Sequence, residues 1–190
     1  MDLVTETDKA VEAMVFTELM GKYPHFEFLG EETYKPGMRL TDSPTFIVDP
    51  IDGTTNFVHA FPNVCISLAF VVMKVPTVGV IYNPFRGELY TAITGSGAYL
   101  IRHGGERQRL PLKVKPEPLN DLSTSLVGIE WGSDRHGSNF DLKTKIFKTL
   151  AASKEDGGSM VHSLRSLGSA AVNIAAVSAG QLDIYWEGGW

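Results

Sequence analysis

The order of apolar and polar residues predicts a helix and two short strands in the first part of the chain. Between residues 9 and 20 the apolar side chains recur at the 3.6-residue period of a helix, and Gly21 is typical of a helix end. The runs 26–30 and 45–48 are short and apolar, as strands are. Both runs lead directly into acidic residues, so the pattern predicts two acidic strand ends.

The middle of the chain has the pattern of an antiparallel sheet. Strand-like apolar runs occupy residues 65–73, 77–82 and 88–94, and another covers 98–101. The links between the first three runs are short, which favours hairpins and therefore a meander. The basic stretch 102–115 is interrupted by glycine and proline, so it predicts a solvated hairpin or loop.

The final part of the chain mixes strands and helices. The pattern predicts a strand at 125–131, a helix with Leu142, Ile146 and Leu150 on its apolar face, a helix of small residues at 169–180 and a strand at 182–186. The helix of small residues suits close packing. Its N-terminus at Gly168 and Ser169 could present free N–H groups to an anion.

The end of the run 45–48 carries the densest candidate chemistry. Asp49 and Asp52 follow it, three positions apart. Pro50 fixes one backbone angle between them and Gly53 permits a sharp turn, so the two carboxylates can point into one space. A helix beginning near Gly53 would add N–H groups for a phosphate, and carboxylate oxygens favour Mg²⁺ or Mn²⁺. The alternative is a plain strand-to-helix turn with an aspartate cap.

Spacing limits the other motifs that the acidic residues could form. An EF-hand loop needs Asp-x-Asp-x-Asp-Gly, which Pro50 does not fit. Phosphatases that form an aspartyl-phosphate use Asp-x-Asp-x-Thr, whereas two residues separate Asp49 from Asp52. The five histidines are scattered, so zinc is not expected. Asp8, at or near the start of the first helix, fits an N-cap as well as a site residue.

The composition indicates one globular unit with small-molecule partners. The chain has 190 residues, 43% of them hydrophobic, so a single domain over residues 1–190 is expected. A net charge of −5 argues against nucleic acid and acidic membranes as partners. No apolar run has membrane-spanning length and no signal peptide is visible, so we expect a cytoplasmic protein with Cys65 as a buried thiol.

Taken together, these residues resemble the inositol monophosphatase family of Mg²⁺-dependent, lithium-sensitive phosphatases, which includes quinate-pathway relatives. The motif Asp-Pro-Ile-Asp-Gly-Thr-Thr-Asn at 49–56 resembles the first signature of that family. Further segments similar to the family pattern are 2–8, 30–32, 165–171 and 183–187. The resemblance covers nearly the whole chain.

The resemblance implies a fold and a chemistry. The implied fold is a layered αβαβα sandwich of the sugar-phosphatase type, with mixed and antiparallel sheets. The implied reaction is hydrolysis of a phosphate monoester by a metal-activated water, without a phospho-enzyme. Two or three Mg²⁺ ions, with Mn²⁺ as an alternative, are the implied cofactors, and a homodimer is the implied assembly.

The resemblance also assigns roles to individual residues. The implied metal ligands are Glu31, Asp49, the Ile51 carbonyl and Asp52. The implied catalytic residues are Asp8, Glu31 and Thr54, with Thr54 paired with Asp8. The implied substrate-binding residues are Asp52, Gly53, Thr54, Gly168, Ser169, Ala170 and Glu187, the last of which would hydrogen-bond substrate hydroxyls.

Two departures from the family pattern lead us to expect a chain truncated at both ends. The helical hairpin that precedes segment 2–8 in the family is absent. The chain also stops at Trp190, before the Trp-Asp pair whose aspartate completes the second metal site. We therefore expect weak metal affinity and little turnover from the 190 residues alone.

The sequence thus predicts a Mg²⁺-dependent phosphomonoesterase, with myo-inositol 1-phosphate or a near relative as substrate. A related alternative is a phosphatase for a sugar phosphate, a nucleotide 3′-phosphate or a quinate-pathway compound. A different alternative is a non-catalytic truncated fragment or a regulatory protein that retains a polyol-phosphate pocket.

Overall fold

The computed structural model describes residues 5–113 and 118–188. They form two compact units, one ending at Leu110 and the other beginning at Pro111. The single domain over residues 1–190 stays a prediction. The first residues of segment 2–8, the end of the basic stretch 102–115 and the terminal residue Trp190 lie outside the described residues.

The first unit contains a seven-stranded sheet and a long helix. Its elements in chain order are α1 (Glu6–Lys22), β1 (Glu27–Gly30), β2 (Thr45–Asp52), α2 (Thr54–Val58), β3 (Cys65–Val72), β4 (Val75–Asn83), β5 (Glu88–Ile93), β6 (Gly97–Arg102) and β7 (Gln108–Arg109). The strands lie in the sheet in chain order. β1 and β2 are parallel and the later neighbours are antiparallel, which confirms the predicted meander.

Helix α1 is longer than predicted, and its most buried residues are charged. It begins at Glu6 because Thr5 caps it, and it continues through Gly21 to Lys22. Its buried residues are Asp8 and Glu12, whereas the apolar Met14 is 59% exposed. The helix therefore directs two carboxylates, one turn apart, into the first unit.

Strand β2 does not end at Asp49, so that prediction was wrong. The strand continues to Asp52, and its register against β3 shifts between these two residues. Pro50 lies within the irregularity, where its missing N–H removes no regular ladder bond. Gly53 then takes a φ of 94° as the N-cap of α2, a left-handed conformation that glycine adopts without steric cost.

The second unit contains a three-stranded parallel sheet and two helices. Its elements are β8 (Leu126–Ile129), α3 (Gly137–Ala151), β9 (Ser163–Arg165), α4 (Ala170–Ser178) and β10 (Ile184–Trp186). β8 is the central strand and pairs with β9 and β10. The helix predicted over 169–180 and the strand predicted over 182–186 are both present, with shorter bounds.

Ile146 and Leu150 of α3 are half-buried, as the predicted apolar face requires, but the most buried residue is one that the prediction passed over. Leu142 is 51% exposed, whereas Lys143 is 2% exposed. The Lys143 Nζ donates to the Trp131 carbonyl at 2.8 Å, which compensates part of the cost of burying the ammonium group. Among the described residues no helix combines the length and the apolar character that a bilayer crossing needs.

Val71→Ala should destabilise the first unit, because Val71 in β3 is 2% exposed. Removing its two buried methyl groups costs about 2 kcal/mol in the free energy of unfolding once the resulting cavity is included. Urea unfolding followed by circular dichroism measures the change. Val75→Ala in β4 is the matched control, since Val75 is 57% exposed and should lose less than about 1 kcal/mol. Equal losses in the two variants would contradict the described core.

Candidate functional site

Glu31 and Asp49 lie side by side because β1 and β2 are parallel and their pairing ends at Gly30 and Val48. Gly30 is in register with Val48, and the Glu31 N–H donates to the Val48 carbonyl at 3.0 Å. The residues that follow this last pair, Glu31 and Asp49, therefore lie at the same end of the parallel pairing. The structure thus brings together two carboxylates that are far apart in the sequence.

Asp49 lies in a strongly anionic setting. Burial, first of all, and then the neighbouring carboxyl groups of Glu31 and Asp52 raise the pKa of Asp49 to about 8, against the opposing effect of a hydrogen bond from the Ile51 backbone. The Oδ1 atom of Asp49 is buried and has no hydrogen-bond partner among the described residues. A cation at this place would supply a partner for Oδ1 and favour the ionised carboxylate.

The chemistry of these residues fits a hard divalent cation, although they are not arranged as a complete metal site. Within residues 5–113 and 118–188, no group of three or more His, Cys, Asp or Glu side chains is placed to hold a metal ion. Binding by Glu31, Asp49 and Asp52 together would therefore require their side chains to reorient. The unpartnered Oδ1 of Asp49 and the all-oxygen donor set support Mg²⁺ over softer metals.

The hydroxyl of Thr54 lies between Asp8 and Ile51. Its Oγ1 is 3.1 Å from the Ile51 carbonyl oxygen and 3.4 Å from Asp8 Oδ1. A hydroxyl has one proton to donate, so the shorter contact with Ile51 is the better hydrogen bond and the contact with Asp8 is a long one. Thr54 and Asp8 are thus neighbours, and their catalytic roles stay a prediction.

Thr5 holds Asp8 in place, a contact that sequence reasoning missed. The Thr5 N–H donates to Asp8 Oδ2 at 2.9 Å, and the Thr5 hydroxyl donates to the same oxygen. In return the Asp8 N–H donates to Thr5 Oγ1 at 3.2 Å. Thr5 is therefore the N-cap, and the alternative that Asp8 caps the helix was wrong. The signal was present as Thr-x-x-Asp at the helix start, which is close to the capping-box pattern.

Glu12 is a second buried carboxylate that sequence reasoning missed. It is 3% exposed and accepts a hydrogen bond from the Glu32 N–H at 2.8 Å. Burial raises the pKa of Glu32, and the charges of Asp8, Glu31 and Glu12 raise it as well. Glu12 follows Asp8 by one helical turn, so it shares the face of α1 that carries the candidate catalytic carboxylate.

Asp52 and Gly53 complete the assigned residues of the first unit. Asp52 is in register with Cys65, whose Sγ lies 3.9 Å from Asp52 Oδ2. Cys65 is buried, as predicted. α2 begins directly after Gly53, as predicted, but it has only five residues. Its dipole is correspondingly weak, so any phosphate contact there would depend on individual N–H groups.

The predicted anion-binding N-terminus in the second unit already contacts a protein carboxylate. The N–H groups of Leu167 and Gly168 both donate to Glu130 Oε1 at 2.8 Å. The prediction that Gly168 offers a free N–H was therefore wrong. Ser169 is the N-cap of α4, and its hydroxyl accepts from the Val172 N–H at 3.2 Å. Ala170 is the first residue of the helix.

Glu187 follows β10 and is exposed. Its Oε2 accepts a hydrogen bond from the Tyr185 hydroxyl. An exposed carboxylate held from one side can accept further hydrogen bonds, because an ionised carboxylate has about four lone-pair positions. This arrangement is compatible with the assigned contact to substrate hydroxyls, which stays a prediction.

The chain is similar to curated proteins of one family. The sequence model of the inositol monophosphatase family matches residues 1–190. The chain is 47% identical over 193 residues to inositol monophosphatase 2 of Saccharomyces cerevisiae, covering 100% of this chain and 62% of that protein. It is 41% identical over 203 residues to protein qutG of Emericella nidulans, covering 100% of this chain and 60% of that protein. The chain thus spans about 60% of the length of the curated relatives it matches, and the predicted resemblance is confirmed.

Solved structures of similar proteins share the fold. Inositol monophosphatase-II from Staphylococcus aureus MSSA476 is 33% identical, with a TM-score of 0.75 over 97% of this chain and 62% of that chain. SaIMPase-II bound to inositol monophosphate and SaIMPase-II bound to 2′-AMP are 32% and 31% identical, each with a TM-score of 0.73 over 94% and 61% of the two chains. The predicted mixed α/β fold class is confirmed.

The stability of the metal-free chain should fall as the pH rises from about 4 to about 8. The Asp49 carboxyl has a pKa of 3.8 without its folded surroundings and about 8 within them. In this window the folded state therefore binds more protons, and the free energy of unfolding decreases with pH. Asp49→Asn should flatten the decrease, because a neutral amide resembles the protonated carboxyl.

Thermal unfolding in buffers containing a chelator measures this dependence. Asp42→Asn is the control, because it removes a surface carboxylate that is paired with Lys74 at 3.0 Å and should leave the pH dependence almost unchanged. A decrease that persists in full in Asp49→Asn would contradict the assignment to Asp49.

Proposed function

Because this chain belongs to the inositol monophosphatase family, we propose that it hydrolyses a small phosphate monoester. The observation that carries the proposal is the meeting of Glu31 and Asp49 where the parallel pairing of β1 and β2 ends, with Thr54 next to Asp8 in the same unit. These four residues are among those that the family resemblance assigns to metal binding and catalysis.

Mg²⁺ is the proposed cofactor, with Glu31, Asp49, the Ile51 carbonyl and Asp52 as its ligands. When bound, the cation would lower the pKa of a coordinated water and stabilise negative charge on the phosphoryl oxygens. The support is the buried Oδ1 of Asp49, which has no hydrogen-bond partner among the described residues, and the neighbouring carboxyl groups of Glu31 and Asp52, which after burial raise the pKa of Asp49. The number of ions and the use of Mn²⁺ stay predictions.

The residues of the chain orient the attacking water and take its proton. Glu31 is exposed at the end of β1, so its carboxylate can accept a proton from a water beside it. The Thr54 hydroxyl donates its one proton to the Ile51 carbonyl, which leaves its oxygen lone pairs to accept from the same water. Thr5 keeps Asp8 Oδ2 occupied, so Asp8 Oδ1 faces Thr54.

The proposed substrate is myo-inositol 1-phosphate. Support comes from the relative named inositol monophosphatase 2 and from SaIMPase-II, which binds inositol monophosphate. Residues assigned to the substrate are Asp52, Gly53, Thr54, Gly168, Ser169, Ala170 and Glu187. A carboxylate such as Glu187 would accept hydrogen bonds from the hydroxyls of a polyol and so favour it over a simple phosphate ester.

Other phosphate esters are the second candidates. The binding of 2′-AMP by SaIMPase-II favours a nucleotide phosphate, and the similarity to qutG favours a quinate-pathway compound. Competition assays between substrates separate these candidates. If a generic aryl phosphate is hydrolysed at the same rate as myo-inositol 1-phosphate, the proposed substrate is wrong. A homodimer and a cytoplasmic location stay predictions.

Phosphate release from myo-inositol 1-phosphate, with and without Mg²⁺ and lithium, tests the proposal. The assay uses this chain and a version extended to the length of its relatives. Mg²⁺-dependent, lithium-inhibited release by either version would support the proposed function. If neither version releases phosphate, the proposed function is contradicted and a non-catalytic polyol-phosphate binder is favoured.

Asp52→Asn should lower Mg²⁺-dependent phosphate release by a factor on the order of 100 or more, because it removes one ligand charge and keeps the side-chain shape. Circular dichroism should show the fold unchanged. Asp42→Asn is again the control, since it removes an exposed carboxylate of equal charge. Full activity in Asp52→Asn would refute the metal assignment.

Mg²⁺ binding at pH 7 should release about one proton, because a carboxyl with a pKa of about 8 is mostly protonated at that pH and must ionise to bind the cation. Titration calorimetry in buffers of different ionisation enthalpy measures the number of protons. The release should be lost in Asp49→Asn. Binding without proton release in the unsubstituted protein would contradict the role of Asp49 as a ligand.

A further inference from the structure

Glu130 is a buried carboxylate that the proposed reaction does not use. It directly follows β8 and is 9% exposed. Its Oε1 accepts hydrogen bonds from the Leu167 and Gly168 N–H groups at 2.8 Å and from Asn173 Nδ2 at 2.7 Å. Its Oε2 accepts from the Ser166 hydroxyl at 3.0 Å. Four donors therefore converge on one side chain.

These donors all come from the segment between β9 and α4 and from α4 itself. Hydrogen bonds to an ionised acceptor are about twice as strong as bonds between neutral groups. Glu130 therefore ties the end of β8 to the backbone before α4 and, through Asn173, to the first turn of the helix. The partial positive charge at the helix N-terminus adds to this attraction.

The held backbone contains a residue with unusual conformational freedom. Gly168 has a φ of 78°, in the left-handed region that residues with a side chain rarely adopt. A glycine without such bonds would populate many other conformations. The bonds from Leu167 and Gly168 to Glu130 select one of them, which sets the direction in which the chain enters α4.

We propose that Glu130 is a positioning residue that holds residues 166–168 so that Gly168, Ser169 and Ala170 are presented to the substrate. The proposal rests on the proposed function, which assigns these three residues to substrate binding. Glu130 itself touches no reacting atom in this scheme. It fixes the conformation of the backbone that does the binding, and its loss should therefore change KM more than kcat.

Glu130→Ala and Glu130→Gln form a matched pair for the test. The alanine variant removes every acceptor. The glutamine variant keeps one amide oxygen for the three N–H donors, and its NH₂ group can donate to the Ser166 hydroxyl, which then accepts. Glu130→Gln should therefore lie between the unsubstituted protein and Glu130→Ala, because it keeps an acceptor but loses the charge, whereas Glu130→Ala should release the segment.

Two measurements decide the proposal. Amide hydrogen exchange at Leu167 and Gly168, measured by NMR on this chain, should be at least about 10-fold faster in Glu130→Ala, as expected for the loss of a bond to a charged acceptor. KM for myo-inositol 1-phosphate, measured on the active version, should rise by about 10-fold with kcat changed less than about 3-fold. In Glu130→Gln both values should change less than in Glu130→Ala.

Unchanged exchange in Glu130→Ala would overturn the proposal, and so would faster exchange with an unchanged KM. If the alanine variant does not fold, Glu130→Asp serves instead, because it keeps the charge but withdraws it by one methylene from the donors. Exchange needs no substrate. Absence of phosphatase activity would overturn the proposed function and the part of this inference that concerns substrate binding. Amide exchange would still show whether Glu130 holds residues 166–168.

Discussion

The parallel pairing of β1 with β2 is the constraint on which the candidate site depends. An antiparallel pair would send the residues after the two strands to opposite ends of the sheet, as happens for the later neighbours β3 to β6. The parallel pair instead leaves Glu31 next to Asp49 and forces like charges together. Burial of Asp49 first, and then these neighbouring carboxyl groups, raise its pKa. The fold thus maintains an arrangement of carboxylates that a free chain would avoid, and a cation would relieve it.

Local patterns predicted the strands of the meander well, because each has a continuous apolar run and a short link to the next. They failed where the buried residue is charged. Periodicity arguments follow apolar side chains, so they assigned Leu142 rather than Lys143 to the buried face of α3 and passed over Glu12 in α1. Each of these charged groups is buried with a backbone partner that lies elsewhere in the chain, which a local pattern does not contain.

The candidate site was predictable where a short motif carries the chemistry and unpredictable where distant pairing decides the geometry. Residues 49–56 showed the carboxylates and the glycine turn, but the extension of β2 to Asp52 depends on its pairing with β3. Likewise, Gly168 has the sequence context of a free helix N-terminus, and only the fold shows that Glu130 accepts its N–H. Resemblance to the family supplied the residue assignments that the patterns alone left open.

The contact between Gly30 and Glu12 links two positions in the evolution of the sequence. A Cβ on residue 30 would lie 2.3 Å from the carboxyl carbon of Glu12, so any larger residue there must displace the carboxylate. Displacement would break the hydrogen bond to the Glu32 N–H next to the acidic strand end. Positions 12 and 30 are therefore expected to vary together, with a side chain at 30 accompanied by a shorter acid or amide at 12.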